Sequence, residues 1–216
     1  MKIGAIILAR ANFGRWPDKV LFELQGKSIL EHVITKAQQL NIDHVIVSTT
    51  YNLEDKPIRE IIERTNCDVS LGEPDDRTSR ICQAIKDYGL DYFIDMSPAR
   101  PFFDVEYTNI LIGAFWKNPD YEIYRISHFP YNCVPSIISS NLPFQNRNDD
   151  QEIYIKGATN FYHHWEYWEP EIRNRYLFNI NIAYKIQANN HKRICEHLGH
   201  FPKDYDEIVK ALLTMK

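Results

Sequence analysis

Residues 3–20 read IGAIILARANFGRWPDKV: an apolar, β-branched run from Ile3 to Leu8 passes straight into a polar loop containing Gly14 and Pro17. A short apolar run closed by turn residues predicts a buried strand feeding a loop. Downstream, Ser28 and Glu31 stand at the capping-box spacing, and Ile29, Leu30, Val33, Ile34, Ala37 and Leu40 recur at helical intervals. They predict a helix over 28–40. The rhythm continues with strand 44–48, helix 56–65, strand 68–71, helix 79–88 and strand 92–96. Strands alternating with helices need crossovers, so a mostly parallel sheet covered on both faces follows, with its ligand beyond the carboxyl ends of the strands. After residue 104 the pattern loosens. A helix near 106–116, a strand near 121–127, a loop-rich stretch over 130–150, a strand near 177–184 and helices near 186–198 and 204–215 complete the reading.

The 216 residues are 44% hydrophobic, enough for one domain with its own core and too polar for a membrane partner. Lys and Arg number 25 against 29 Asp and Glu, a net charge of −4 that excludes the broad positive field of a nucleic-acid binder. A small anion held by a few local cations remains open. Cys67, Cys82, Cys133 and Cys195 show no C-x-x-C pair, which predicts reduced thiols and a cytoplasmic protein. The opening MKIGAIILAR is too short in its apolar run, and lacks a cleavage-type site, for a signal peptide. Aromatic residues gather in the second half. The densest stretch, NFYHHWEYWEPE at 160–171, is too unperiodic for one core face and reads as a wall, a lid or a subunit contact.

The loop after the first strand carries the chemistry. Arg10, Arg15 and Lys19 fall within ten residues of one another, and backbone amides near Gly14 add donors. Phosphoryl and nucleotidyl transfer neutralise several phosphate oxygens at once, which Arg does bidentately and Lys as a point charge. The loop therefore reads as a triphosphate cradle or, equally, as the surface cations of an ordinary strand-to-helix loop, since neither G-x-G-x-x-G nor a Walker pattern is present.

From Ala5 to Leu24 the chain resembles the signature of the cytidylyltransferases that activate sugars, the group of the CMP-sialic acid, CMP-ketodeoxyoctonate and spore-coat polysaccharide enzymes. The last of these have a loop running A-R-x-G-S-x-R-x-P-x-K. The likeness continues through GKSILEHVI at 26–34, VIVSTTYNLEDKPI at 45–58 and GEPDDRTSRICQA at 72–84. It implies a three-layer α/β/α sandwich of the nucleotide-diphospho-sugar transferase (GT-A-like) type with a mostly parallel sheet. Residues 1–105 would form a nucleotide-binding half and 106–216 an acceptor and dimerisation half of one domain. The implied reaction is Mg²⁺-dependent transfer from CTP, or another nucleotide, to a sugar acid or sugar phosphate with release of pyrophosphate, for surface polysaccharide synthesis, in a cytoplasmic homodimer.

Carried over by position, Leu8, Ala9, Arg10 and Gly14 fall on the nucleotide loop, and Arg15 and Lys19 on the catalytic Arg and Lys held against the leaving pyrophosphate. Thr49 falls on the strand end near the base, and Arg80 on the Arg of the nucleotide-side helix. Departures fall on the loop, where Leu8 stands for the family's Gln and Asn12-Phe13 for its Gly-Ser with Gly14 one or two places later, and on the metal. The family's I-T-G-D-C-P-L-I-D-P aligns on Met96 to Val105, which places Ala99 at the metal-binding Asp, and Asn181 stands at the second metal carboxylate. Mg²⁺ prefers charged oxygens. Three readings follow: Asp95, of the same strand parity as Ala99, serves instead; Arg100 replaces metal charge with a fixed cation; or the chain keeps the nucleotide fold as a binding protein that has lost the reaction. A glycosyltransferase on the same fold would not need the R-x-P-x-K loop.

His163 and His164 sit in the aromatic stretch and, with Arg100, read as acceptor residues, one His acting as general base. Packing at a dimer contact is the competing reading. His191, Cys195, His197 and His200 superficially match metal spacing, but residues two apart point to different helical faces. A solvated face with a half-buried Cys is expected there. Asp204-Tyr205-Asp206 and Asp75-Asp76 read as helix caps.

Overall fold

A computed structural model describes residues 1–12, 16–126, 133–142, 144–145, 154–155, 161–164 and 185–215. In chain order it contains β1 (Ile3–Leu8), a hairpin of β2 (Glu23–Leu24) and β3 (Lys27–Ser28), α1 (Ile29–Ala37), β4 (His44–Thr50), α2 (Lys56–Thr65), β5 (Asp68–Gly72), α3 (Arg77–Tyr88) and β6 (Tyr92–Met96). These are followed by α4 (Val105–Lys117), β7 (Ile123–Ile126), β8 (Ile137–Ser139), β9 (Phe144–Gln145), β10 (Tyr154–Ile155), β11 (Phe161–His164), α5 (Lys185–Leu198) and α6 (Tyr205–Thr214).

The main sheet runs β11-β7-β8-β6-β1-β4-β5, with β8 antiparallel to both of its neighbours and the other pairings parallel. Alternation along β1 decides the layers. Ile3, Ala5 and Ile7 pack under α1, α2 and α4, through Leu30, Val33, Ile58, Ile61, Leu111 and Phe115. Ile6 points the other way, with Ile46 and Phe93, against Ile81 and Ala84 of α3. This is the three-layer sandwich expected, in which period-2 strands present two apolar faces and helices cover both. Gly4 on the α3 side is required by contact, because a Cβ there would stand 3.0 Å from the Leu90 methyls.

The capping box forms as read. The Ser28 hydroxyl accepts from the Glu31 amide, and the Glu31 carboxylate accepts from the Ser28 amide at 2.7 Å. Burial alone would raise the Glu31 pKa; the hydrogen bonds from Arg64 and Ser28 outweigh it and bring the pKa down to about 2. Asp76 and Asp204 cap α3 and α6, accepting from the amides of Ser79 and Glu207.

Several expectations change. The stretch 130–150 is not all loop: β8 lies inside the main sheet and β9 pairs with β10. Phe161–His164 of the aromatic stretch is a strand beside β7, in keeping with the strand preference of aromatic residues. The Gln25-Gly26 turn between β2 and β3, with φ of 49° and 74°, was not foreseen; positive φ at both central residues is what a tight hairpin turn demands. On α5, Cys195 and His191 are both buried rather than half-solvated, and the His191 ring stacks on Phe102 at 4.6 Å. Ile194, Cys195, Ile208 and Ala211 join Phe102 and Cys133 in a satellite core. All four cysteines are free. The strand expected at 177–184 lies outside the described residues. Among the described residues no helix is long and apolar enough to cross a membrane.

Candidate nucleotide site

The carboxyl ends of β1, β4, β5 and β6 open on one side, and the loop after β1 is tied down there. Leu8 ends the strand. The Ala9 amide donates to the Ser48 carbonyl at 3.0 Å, and the Asp18 amide closes the loop back on the Ala11 carbonyl at 2.7 Å. Asp18 takes a left-handed backbone, φ 56°, and a single 3₁₀ turn over 19–21 follows, so Lys19 sits where the loop closes. Gly14 and Arg15 lie outside the described residues.

Beneath the loop is an acid that the sequence reading missed. Asp55 is 3% exposed; one of its carboxylate oxygens accepts from the Ala11 amide at 2.7 Å and the other from the Thr50 hydroxyl. It stitches the loop to the end of β4. Just before a Pro-containing helix, Asp55 looks like an ordinary cap, but it makes no side-chain cap bond. Thr49, which precedes Thr50 on β4, is fully buried, and its hydroxyl has no hydrogen-bond partner among the described residues.

Arg10 and Arg80 come together. Both donate to the Pro74 carbonyl, Arg80 at 2.6 Å, and Arg80 also donates to the Glu73 carbonyl at 2.6 Å. Arg10 reaches Asp75 at 3.3 Å. Arg77, one helical turn before Arg80 and not foreseen, places one terminal nitrogen 3.0 and 3.2 Å from the two oxygens of Asp95 on β6. Burial of Arg80 and the charges of Arg10 and Arg77 bring the Arg80 pKa down to about 10. Three guanidiniums thus gather within mutual electrostatic reach, an arrangement that an anion relieves.

Gly72 makes room for this. A Cβ on it would stand 3.0 Å from Arg80 Cγ. Gly72→Ala should therefore push the Arg80 stem off its carbonyl anchors, weakening nucleotide affinity about three- to tenfold, roughly 1 kcal/mol, in calorimetric titration. The melting temperature should move by only about 4 °C or less.

The metal positions do not fit. Ala99 is buried and offers a methyl group, and the Asp95 carboxylate is engaged by Arg77. Asp95 and Ala99 do not share a strand, because β6 ends at Met96 and residues 97–100 form a turn closed by the Arg100 amide on the Ser97 carbonyl. Among the described residues no three His, Cys, Asp or Glu side chains gather as a metal-binding group. Asn181 lies outside the described residues. Arg100 is half-buried beside Ala99 on that turn. His163 and His164 lie on β11, four strands from β1, or about 19 Å at ~4.8 Å per strand. The fold does not bring their backbone to the arginine cluster.

A protein-family model described as cytidylyltransferase matches residues 4–213. The chain belongs to the cytidylyltransferase family. Among curated relatives, the 3-deoxy-manno-octulosonate cytidylyltransferase of Fusobacterium nucleatum is 26% identical over 164 residues, 73% of this chain and 64% of that one. The 8-amino-3,8-dideoxy-manno-octulosonate cytidylyltransferase of Shewanella frigidimarina is 30% identical over 125 residues, 55% of this chain and 49% of that one. A solved cytidylyltransferase from Leptospira borgpetersenii shares the fold, with a TM-score of 0.61 at 23% identity over 65% of this chain and 61% of the other. The chain spans between about half and two thirds of the length of these relatives.

Proposed function

We propose that this cytidylyltransferase transfers the cytidylyl group of CTP to a sugar acid for surface-polysaccharide synthesis. The observation that carries the reading is the set of guanidiniums of Arg10, Arg77 and Arg80 beside the Lys19 loop, at the ligand end of a parallel sheet. A hydroxyl oxygen of the acceptor attacks the α-phosphorus and gives up its proton to solvent, the bond from that phosphorus to the bridging oxygen of the β-phosphate breaks, and pyrophosphate leaves with its charge held by the loop cations. Thr49 and Arg80 face the nucleotide in this reading, and Arg15 and Lys19 the departing pyrophosphate. His163 and His164 belong to an acceptor and dimer half over 106–216, and Arg100, at the end of the 1–105 half that holds the nucleotide, faces the acceptor with them. The relatives named for 3-deoxy-octulosonate sugars support a sugar acid over a sugar phosphate, and the reduced thiols a cytoplasmic setting.

The test is pyrophosphate release from CTP across a panel containing 3-deoxy-manno-octulosonate, its 8-amino analogue and sialic acid, with GTP and UTP as controls. Release with CTP and one of these acids is expected. No release with any acid, with or without Mg²⁺, would overturn the reading.

A further inference from the structure

Asp95 is the acid that a cation at the end of β6 would have to use, and Arg77 holds both of its oxygens through one nitrogen. The other terminal nitrogen of Arg77, Nη1, is buried with no hydrogen-bond partner among the described residues. Arg80 offers a second such group. Only 5% exposed, it is anchored by Nη1 on the Glu73 and Pro74 carbonyls, while its Nε has no hydrogen-bond partner among the described residues. Buried donors of this kind carry an unmet hydrogen-bonding demand that a ligand can satisfy.

The electrostatics point the same way. Arg80 is opposed by Arg10 and Arg77 more than Asp55 and Asp76 relieve it. A divalent cation docking at Asp95 would break the Arg77 pair and add two positive charges to a region already crowded with them. A polyphosphate does the reverse: it supplies acceptors for the stranded nitrogens and negative charge for all three guanidiniums.

We propose that the triphosphate of the nucleotide is seated on Arg10, Arg77 and Arg80, with Arg77, fixed in place by Asp95, providing the positive charge that a divalent cation would otherwise bring, so that the nucleotide binds without metal. This rests on the nucleotide reading above and adds to it a mode of charge neutralisation. Arg77 is the binding group and Asp95 positions it.

Calorimetric titration of the full chain with CTP and with CMP, in EDTA and in Mg²⁺, tests it. CTP affinity should differ by less than about threefold between the two media. Arg77→Gln should weaken CTP in EDTA by about ten- to a hundredfold and leave CMP nearly unchanged, because the loss falls on the outer phosphates. Arg77→Lys keeps the charge without the fork and should fall between the two, which serves if the Gln variant does not fold. Asp95→Asn should lower the CTP-to-CMP affinity ratio, a readout that general loosening would not move. CTP binding that requires Mg²⁺ would overturn the metal-free seat and leave the nucleotide reading standing. CTP binding in EDTA unaffected by either Arg77 variant would overturn the role of Arg77. No CTP binding in either medium would remove the nucleotide reading, and this inference with it.

Discussion

Replacing Lys36 with methionine is expected to raise the unfolding free energy by about 2 kcal/mol at pH 7. Lys36 lies in the last turn of α1 and is 6% exposed, with its ammonium 5.3 Å from the Phe103 ring centre and 6.0 Å from that of Phe201. Burial dominates and lowers its pKa from 10.5 to about 8, against the opposing pull of Asp104, Asp204, the Cys133 thiol and Glu207. At ~1.4 kcal/mol per pH unit, keeping the charged form in the fold costs about 3 kcal/mol. Methionine has nearly the same length and no charge. Part of the gain is lost because Asp104, which caps α4, gives up a cationic neighbour.

The pH dependence supplies the sign. A basic group whose pKa is lower in the fold carries its full penalty below that pKa. Between about 8 and 10.5 the unfolded chain binds the extra proton, so this group's contribution to stability rises with pH through that window. The advantage of Lys36→Met should therefore be greatest below pH 8 and vanish near pH 10.5, as read by urea unfolding of the two proteins at matched pH. A variant that is destabilised at every pH would mean that the ammonium and Asp104 act as an indispensable pair.

Local patterns in the chain were enough for much of this architecture. The bounds of α2 and β6 coincide with the expected ones, and the Ser28–Glu31 box closes as its spacing demands, because cap and helix period are written within a few consecutive residues. The cation at 10 was found through its place after a strand, and the one at 80 only through the family resemblance. Arg77, Asp95 as its partner, and Asp55 under Ala11 were not, because each depends on residues 18 or 44 positions apart meeting at the sheet's end. β8 escaped for a similar reason. Three residues carry too little periodicity to announce a strand, and its place between β6 and β7 is set by long-range pairing. The metal positions show the opposite case. Ala99 is plain in the sequence, whereas the engagement of the neighbouring acid, Asp95, by Arg77 became visible only in the fold.

The second large effect is expected at Asp55. Asp55→Ala strands the Ala11 amide and the Thr50 hydroxyl, both buried, and at ~1–3 kcal/mol per stranded donor it should cost about 3 kcal/mol in urea unfolding. Because the Ala11 amide is the inner end of the loop that Asp18 closes, CTP affinity should also fall, by about tenfold or more. One effect opposes this: Asp55 is a negative neighbour of Arg80, so its removal makes the pocket more attractive to phosphate. Asp55→Asn separates the two contributions. Its carbonyl can still accept from Ala11, and the Thr50 hydroxyl can turn to accept from the amide, so the loop stays tethered while the charge is gone. Near-normal stability with CTP affinity equal to or above that of the parent is expected for Asn, against loss of both for Ala. If Ala loses stability yet binds CTP as before, the tether does not shape the pocket, and if Asn and Ala weaken binding equally, the charge of Asp55 matters more than its hydrogen bonds.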